Sequence, residues 1–341
     1  MGVTALLAAE FAGLAAQIRD ADAVVAFGTG SHRELGGSVW AEAVPVRAPS
    51  GVVAFEPADM TVTVLAGTSC AALAAALAAH GQECPLDPVD PHATVGGVLA
   101  AGLSGWRRLG LGPVRDTLLE VVLVLADGRV VRGGGPTVKN VTGYDIPRLV
   151  VGSLGTLGVV VRVTLRTRPL PRASQWFHTP RERADAVRRA LFAPTAVLES
   201  RVGTHVLLEG HPDDLAAEAD RTGLQPAPFV PERPTGHRGR ISVPAGAVPA
   251  VVGALDGIGS ATDLAWLAEH GVGTLHVATA DPVLLARARE VAAAHDGWLL
   301  REAGAPDLHP FGTAFAAPAL QLRIRTAFDP TGKLAPGRIP T

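Results

Sequence analysis

Val138-Lys139-Asn140-Val141-Thr142-Gly143-Tyr144-Asp145-Ile146-Pro147-Arg148-Leu149-Val150-Val151-Gly152-Ser153-Leu154-Gly155-Thr156-Leu157-Gly158-Val159 is the stretch on which the reading of this chain turns. It closes with glycines at 152, 155 and 158 and runs directly into 159–165, an almost uninterrupted apolar run of the kind a buried strand shows. Two more glycine-rich turns lie upstream, over 27–31 and 94–105, each flanked by apolar runs. Glycine lets backbone N–H groups come close to a ligand, and successive N–H groups make a concavity that holds anions. Turns of this kind gathered at one place would bind an extended, diphosphate-containing cofactor without a basic cluster. The competing reading is ordinary tight turns in a chain with 39 glycines.

Outward from these turns the pattern alternates between helix and strand. Apolar positions Leu6, Leu7, Phe11, Leu14 and Ile18 predict an amphipathic helix over 4–19. Ala23-Val24-Val25-Ala26-Phe27 predicts a strand ending in the first turn, and further strands are expected at 44–47, 52–55 and 61–65. An Ala/Leu helix over 69–80 follows, stopped by Gly81. Pro85, Pro88 and Pro91 enforce a non-helical segment. Residues 118–125 and 129–132 predict a hairpin with Asp127-Gly128 as a two-residue turn. Pro169 and Pro171 then suggest a domain boundary near residue 172. Beyond it helices are expected over 181–191, 213–222, 247–255 and 282–295, with strands over 197–202, 205–208, 240–243, 275–278 and 298–301. Residues 225–239 read as a Pro-rich basic surface loop, and 312–328 as a final helix. A single core rarely grows past about 250–300 residues, so two domains suit a chain of 341.

Composition removes several function classes. With 48% apolar and 18% charged residues the chain can bury a core, which excludes global disorder. Thirty basic against 32 acidic residues leave a net charge of −2, so nucleic acid is a poor partner. Cys70 and Cys84 can build neither a disulfide framework nor a zinc spacing and are read as packing residues. The N-terminus lacks a basic n-region and carries Glu10 inside its apolar stretch, unlike a signal peptide. Residues 60–82 are uncharged over a span's length but change period at Gly67-Thr68-Ser69, so they read as strand then helix and a soluble protein is expected.

Familiar catalytic motifs fail one by one. Arg33 stands where the dinucleotide fingerprint after Gly28-Thr29-Gly30 needs its third glycine. Gly332-Lys333 precedes Leu334 and so lacks the hydroxyl of a Walker A motif. No serine sits in G-x-S-x-G, and the 11 histidines show no tight metal spacing. His276 and His309 are the candidate bases in the second half, neither with a partner evident in sequence.

Four segments, taken in order, resemble the FAD-binding domain of the vanillyl-alcohol oxidase/p-cresol methylhydroxylase (PCMH) flavoprotein superfamily, and within it the FAD-binding E-subunit family of bacterial glycolate oxidases (glycolate dehydrogenases). They are Phe27-Gly28-Thr29-Gly30-Ser31; Thr94-Val95-Gly96-Gly97 through Ala100, Gly102 and Gly105 to Gly112-Pro113-Val114-Arg115-Asp116; the stretch over 138–159; and the tail Phe328-Asp329-Pro330-Thr331-Gly332-Lys333-Leu334-Ala335-Pro336-Gly337-Arg338. The resemblance implies an α+β fold: a two-subdomain PCMH-type FAD-binding domain over 1–172, an α+β cap over 173–310, and a C-terminal helix and tail over 311–341 that return to the FAD domain. It implies FAD contacts from Gly28, Thr29, Gly30 and Ser31, and from Thr94, Gly96, Gly97, Ala100, Gly102 and Gly105. Leu154, Gly155, Gly158 and Val159 complete that set. Lys139, Tyr144 and Asp145 would pin their loop by buried hydrogen bonds, and Arg115 and Asp116 are either a structural ion pair or ligands.

Departures from the family pattern sharpen these expectations. Family members with covalent FAD place a histidine where Ser31 stands, so noncovalent FAD is expected here. Ala335 occupies the place of a common asparagine, so a side-chain contact to the flavin ring is expected to be lost or replaced. The histidine-rich metal motif of related catalytic subunits has no counterpart, so no metal is expected. The implied function is an FAD-dependent oxidoreductase subunit of a glycolate oxidase-type complex: hydride passes from a 2-hydroxy acid to flavin, and electrons go to a catalytic flavoprotein subunit and an iron–sulfur subunit. That places it in the cytoplasm, meeting the inner face of the cell membrane through the complex. The alternatives are a non-catalytic scaffold with a decayed flavin site and a stand-alone FAD-dependent alcohol or sugar oxidoreductase; no catalytic residue is assigned.

Overall fold

The computed structural model describes residues 3–136, 143–227, 231–260, 262–312 and 317–339. Lys139 with the rest of 138–142, and positions 313–316 of the expected final helix, lie outside the described residues.

A five-stranded antiparallel sheet orders its strands Val52–Glu56, Thr61–Leu65, Val159–Arg166, Leu118–Val124 and Val130–Gly134. Its two central strands are apolar at nearly every position because both faces are covered. Val121, Leu123, Val163 and Leu165 point into a core with Leu73, Leu77, Val98 and Leu99 of the helices Cys70–Ala78 and Val95–Ala101. Val122, Val124, Val159 and Val161 point the other way, onto Leu7, Phe11 and Ile18. The helix expected over 4–19 is interrupted at Phe11, giving Val3–Glu10 and Ala12–Asp20; the amides of Phe11 and Ala15 still reach Leu7 O and Phe11 O.

Between residues 173 and 303 an eight-stranded antiparallel sheet carries helices on one face. Val251 and Leu255 of Val248–Asp256, and Leu285 and Ala292 of Pro282–Ala294, pack on Trp266, Leu275 and Leu299. Val187 of Ala184–Ala190 and Leu215 of Pro212–Thr222 extend that layer over Val197 and Val206. Antiparallel sheets with their helices on the faces make an α+β protein, as expected.

Several local expectations are revised. Residues 94–102 are not a turn but the helix Val95–Ala101, with Thr94 as its N-cap and Gly102 closing it in the left-handed region. The hairpin loop is longer than two residues: Gly128, at φ +81°, donates to Leu125 O while the Leu125 amide reaches Arg129 O. Strands Ala173–Thr179 and Leu264–Glu269 were not expected. The segment 225–239 is not wholly loop, since Gln225–Pro226 and the start of His237–Ser242 are strand. Tyr144 is 91% exposed and Asp145 caps the helix Ile146–Val150 from the surface, so neither supplies a buried hydrogen bond.

Candidate functional site: a trough between the glycine turns

The short strand Val24–Ala26 pairs in parallel with Val44–Val46, and its other edge is closed by the tail. The Val24 amide donates to Lys333 O (2.8 Å) and the Ala335 amide to Val24 O (2.7 Å). Phe27 makes the last ladder bond, to Val46 O. The chain then turns through 28–32 and closes with Arg33 N donating to Gly30 O and Leu35 N to His32 O. Among the described residues, no acceptor meets the amides of Gly28, Thr29, Gly30, Ser31 or His32. Consecutive free amides past the carboxyl end of parallel strands are an anion-binding concavity.

Two arginines that the sequence reading left without a role hold this turn. Arg47 Nη1 donates to Gly28 O (2.6 Å), with its guanidinium 5.0 Å from the Phe27 ring centre. From the tail, Arg338 Nη1 reaches the carbonyls of Arg33 (2.7 Å) and Leu35 (2.8 Å). Nothing in the spacing marked either one in so arginine-rich a chain.

The turn packs so tightly on the helix Val95–Ala101 that a Cβ on Gly28 would lie 2.5 Å from Thr94 Oγ1. That helix does not offer free N–H groups. Val95 N donates to Thr68 O, Gly96 N to Ala66 O and Gly97 N to Thr94 Oγ1. Its part is to supply a bare backbone wall, while the consecutive row of free donors is that of 28–32. Gly155, at φ +81°, closes the opposite wall; a Cβ there would meet nothing nearer than Ala26 Cβ at 4.0 Å and would project into open space.

Between these walls lies a cavity of about 280 Å³ lined by Gly28, Thr29, Arg47, Gly96, Gly97, Gly155, Gly158 and Val159 among others. It shares Thr94, Ala100 and Leu154 with a second cavity of about 100 Å³ that extends past Gly30, Ser31 and His32 to Arg338. The structure thus brings twelve of the fourteen sequence-predicted contact residues to one trough. Gly102 and Gly105 are not on those walls: Gly102 packs against Gly152, and Gly105 against Asp87. Gly102 instead borders a third cavity of about 320 Å³, reached past Leu35, Ala101 and Leu154, between the trough and the eight-stranded sheet.

Titratable groups face this seam. Burial lowers the His32 imidazole, so it is neutral at pH 7. On the sheet, Glu269 Oε1 lies 2.8 Å from His276 Nε2, giving His276 the partner the sequence did not reveal. Burial raises the Glu269 carboxyl to about 8, against the opposing pull of Arg233, Arg108 and Arg240, and drives His276 well below its ordinary value. Burial thus favours the neutral form of both groups over an ion pair. Trp106 covers His276 edge-on at 5.1 Å. His309 lies near Phe311. Cys70 is buried and Cys84 half-buried, with both thiols pushed up by burial (Cys70 to about 12), as packing residues should be. Arg115 sits 3.7 Å from Asp116, which Arg148 also approaches, on the surface. Among the described residues no group of three or more His, Cys, Asp or Glu is placed to hold a metal ion, and no helix is long and apolar enough to cross a membrane.

Residues 8–134 match the FAD binding domain family. Over those residues the chain carries an FAD-binding domain. FAD fits the trough on the structure's own terms, since free amides meet its diphosphate and bare glycine walls leave it room. Among proteins similar to the chain are glycolate oxidase subunit GlcE of Escherichia coli (strain K12), 40% identical over 161 residues (46% of this chain, 45% of that protein), and a D-lactate dehydrogenase of Archaeoglobus fulgidus, 42% identical over 113 residues (33% and 26%). Each match spans less than half the relative's length. Alkyldihydroxyacetonephosphate synthase shares the fold around the FAD-binding domain and beyond it: TM-score 0.66 at 12% identity, over 94% of this chain and 74% of that one.

Proposed function

We propose that the chain is an FAD-binding subunit of an oxidoreductase complex that removes hydride from a small 2-hydroxy acid of the glycolate or D-lactate type. The row of free amides over 28–32, opening on a trough that continues to the eight-stranded sheet, carries this reading. The names of the relatives, a glycolate oxidase subunit and a D-lactate dehydrogenase, support the substrate class.

Gly28, Thr29, Gly30 and Ser31 would hold the diphosphate through their amides. Thr94, Gly96, Gly97, Ala100, Leu154, Gly155, Gly158 and Val159 would shape the walls, with Arg47 and Arg338 keeping the turn in place. Gly102 and Gly105 would act by fixing the loop behind those walls. The division into an FAD-binding domain over 1–172, a cap over 173–310 and a returning tail over 311–341 belongs to the same proposal. When bound, FAD supplies a hydride acceptor. The chain's residues bind and orient it, while the Glu269–His276 pair lies buried in the eight-stranded sheet against Trp106.

Two cysteines are too few to ligate an iron–sulfur cluster, so electrons leave through a catalytic flavoprotein subunit and an iron–sulfur subunit. Such a complex would work in the cytoplasm at the inner face of the membrane. With Ser31 at the turn, FAD is held noncovalently.

The visible spectrum of the purified chain tests the reading. A stoichiometric flavin band, released into the supernatant by acid precipitation, is expected. A folded but colourless chain that takes up no FAD would leave only a scaffold. Bleaching of the band by glycolate in the isolated chain would show that it works without the proposed partners.

A further inference from the structure

The third cavity, of about 320 Å³, lies between the FAD-binding trough and the eight-stranded sheet, and its wall includes Arg108, Arg115 and Arg240 but no carboxylate. Arg240 stands in the middle of strand His237–Ser242, directly opposite His276 on one side and Leu300 on the other. Its side chain is largely buried, yet among the described residues it makes no hydrogen bond, and Nε is sealed from water without an acceptor. Its nearest carboxylate, Glu302, stays 4.0 Å away, too far for a hydrogen bond, with its own Oε1 equally unpartnered. A buried guanidinium left this way is costly unless something else fills its fork.

The charge around it is unbalanced. Arg233 adds a second guanidinium, stacked 4.7 Å over Trp106 with Nη2 on Ser104 O, and Arg108 a third, with Nη1 on Thr274 Oγ1. Against these three stands Glu302 alone. Asp87 is already paired with Arg107 (3.0 Å), and Glu269 is neutral beside His276. Arg238 adds further positive charge, and His32, on the trough side, is neutral. A chain with a net charge of −2 thus gathers three guanidinium groups against one carboxylate at one place. The remaining wall is mixed, with Leu35, Leu300 and Phe311 apolar and Ser104 and Ser242 polar.

We infer that this cavity is the binding site of a small carboxylate, whose anionic end is held by Arg240 and Arg108 and whose short body lies on Leu300 toward the trough. Guanidinium groups match a carboxylate in pairs of parallel hydrogen bonds, so the site holds its anion without a metal ion. This deepens the proposed function by placing its substrate on this chain, and it rests on that reading for the choice of carboxylate over other anions.

Calorimetric titration with oxalate tests the inference, because oxalate is a two-carbon carboxylate with no hydrogen to surrender. The titration is run on the flavin-loaded chain and on the chain stripped of flavin, with flavin content measured separately by absorbance. Saturable binding is expected, weakened at least tenfold in Arg240→Gln, partly restored in Arg240→Lys and absent for the neutral amide glycolamide. Arg108→Gln gives the same readout should Arg240→Gln fail to fold. No saturable heat up to about 10 mM oxalate, tenfold above ordinary substrate constants, overturns the inference. So does oxalate binding unchanged in both glutamine variants, or inorganic phosphate binding in place of oxalate. A colourless chain that still binds oxalate through Arg240 overturns the FAD reading and leaves the anion site standing.

Discussion

Gly97 and Gly155 both present bare backbone to the trough, but they differ as experimental handles. Gly155 sits at φ +81°, so a side chain there strains the backbone as well as filling space. Gly97 is in an ordinary helical conformation, and a Cβ would meet only Thr94 Oγ1, at 3.0 Å. Gly97→Val is therefore expected to lose flavin, read as the ratio of visible to ultraviolet absorbance, with a melting temperature close to that of the parent; full flavin occupancy would move the cofactor off this wall. The Glu269–His276 pair gives a pH signature. Folded Glu269 gives up its proton near pH 8, whereas the unfolded chain does so near 4.5, so on this account stability falls as pH rises through that interval. His276 acts in the opposite sense, since only the unfolded chain protonates it, and this adds stability as pH rises to about 6.5. The two effects offset one another between about 4.5 and 6.5, leaving a net fall between about 6.5 and 8. Glu269→Gln is expected to flatten that fall in a series of denaturant melts, and a slope that persists would show Glu269 ionised in the folded state. The glycines were legible because their chemistry is local. Glu269 as the partner of His276 was not, because the strand that carries it was itself not recognised, and the buried Arg240 was not, because its neighbours His276 and Leu300 lie on strands distant in sequence.

Among the elements, the tail shows how a departure from the family pattern acquires a physical reason. Ala335 is buried at φ +45°, in the left-handed region that asparagine tolerates and alanine does not, and it borders neither trough cavity. The expected loss of a flavin contact is thus accompanied by backbone strain of about 1–2 kcal/mol. Ala335→Gly is expected to stabilise the chain by about 1 kcal/mol, less whatever packing its methyl supplies; urea titration measures it, and a net loss would show that the methyl outweighs the strain. Two residues earlier, Lys333 Nζ donates to Ile18 O (3.4 Å), Arg19 O (2.9 Å) and Ala21 O (2.7 Å), capping the end of the helix Ala12–Asp20. Lys333→Met leaves those carbonyls without that donor and is expected to destabilise by about 1–3 kcal/mol. Elements whose burial follows one period were readable, as in the helices Cys70–Ala78 and Pro282–Ala294. Ala173–Thr179 escaped because its sheet face is polar and half-exposed, and Leu264–Glu269 because burial on both faces erased the alternation that marks a strand. The helix Val95–Ala101 was hidden by Gly96 and Gly97, poor helix formers that the close wall requires.

At the scale of the whole molecule, the two sheets are joined by ionic contacts that no sequence period encodes. Glu209, on strand Gly203–Gly210, accepts from Arg107 Nη1 (3.1 Å) and Arg168 Nη2 (2.7 Å). Both arginines also bind Glu83, beside the five-stranded sheet, and Arg107 holds Asp87 as well. Only 6% of the Glu209 side chain is exposed, so removing it leaves two guanidinium groups short of a buried partner at the joint. Loss of one member of a buried ionic set typically costs about 3–5 kcal/mol, because the remaining charges keep their desolvation penalty. The same joint holds Trp106, which immediately precedes Arg107 and the helix Arg108–Leu111 and covers His276. Glu209→Ala is therefore expected to lower stability by that amount and to separate the unfolding of the two sheets, so that flavin release and loss of far-ultraviolet circular dichroism no longer coincide on heating. A single coincident transition with an unchanged midpoint would mean that the apolar contacts of Leu35, Leu103 and Leu300 suffice to hold the seam, and that the charges merely line it.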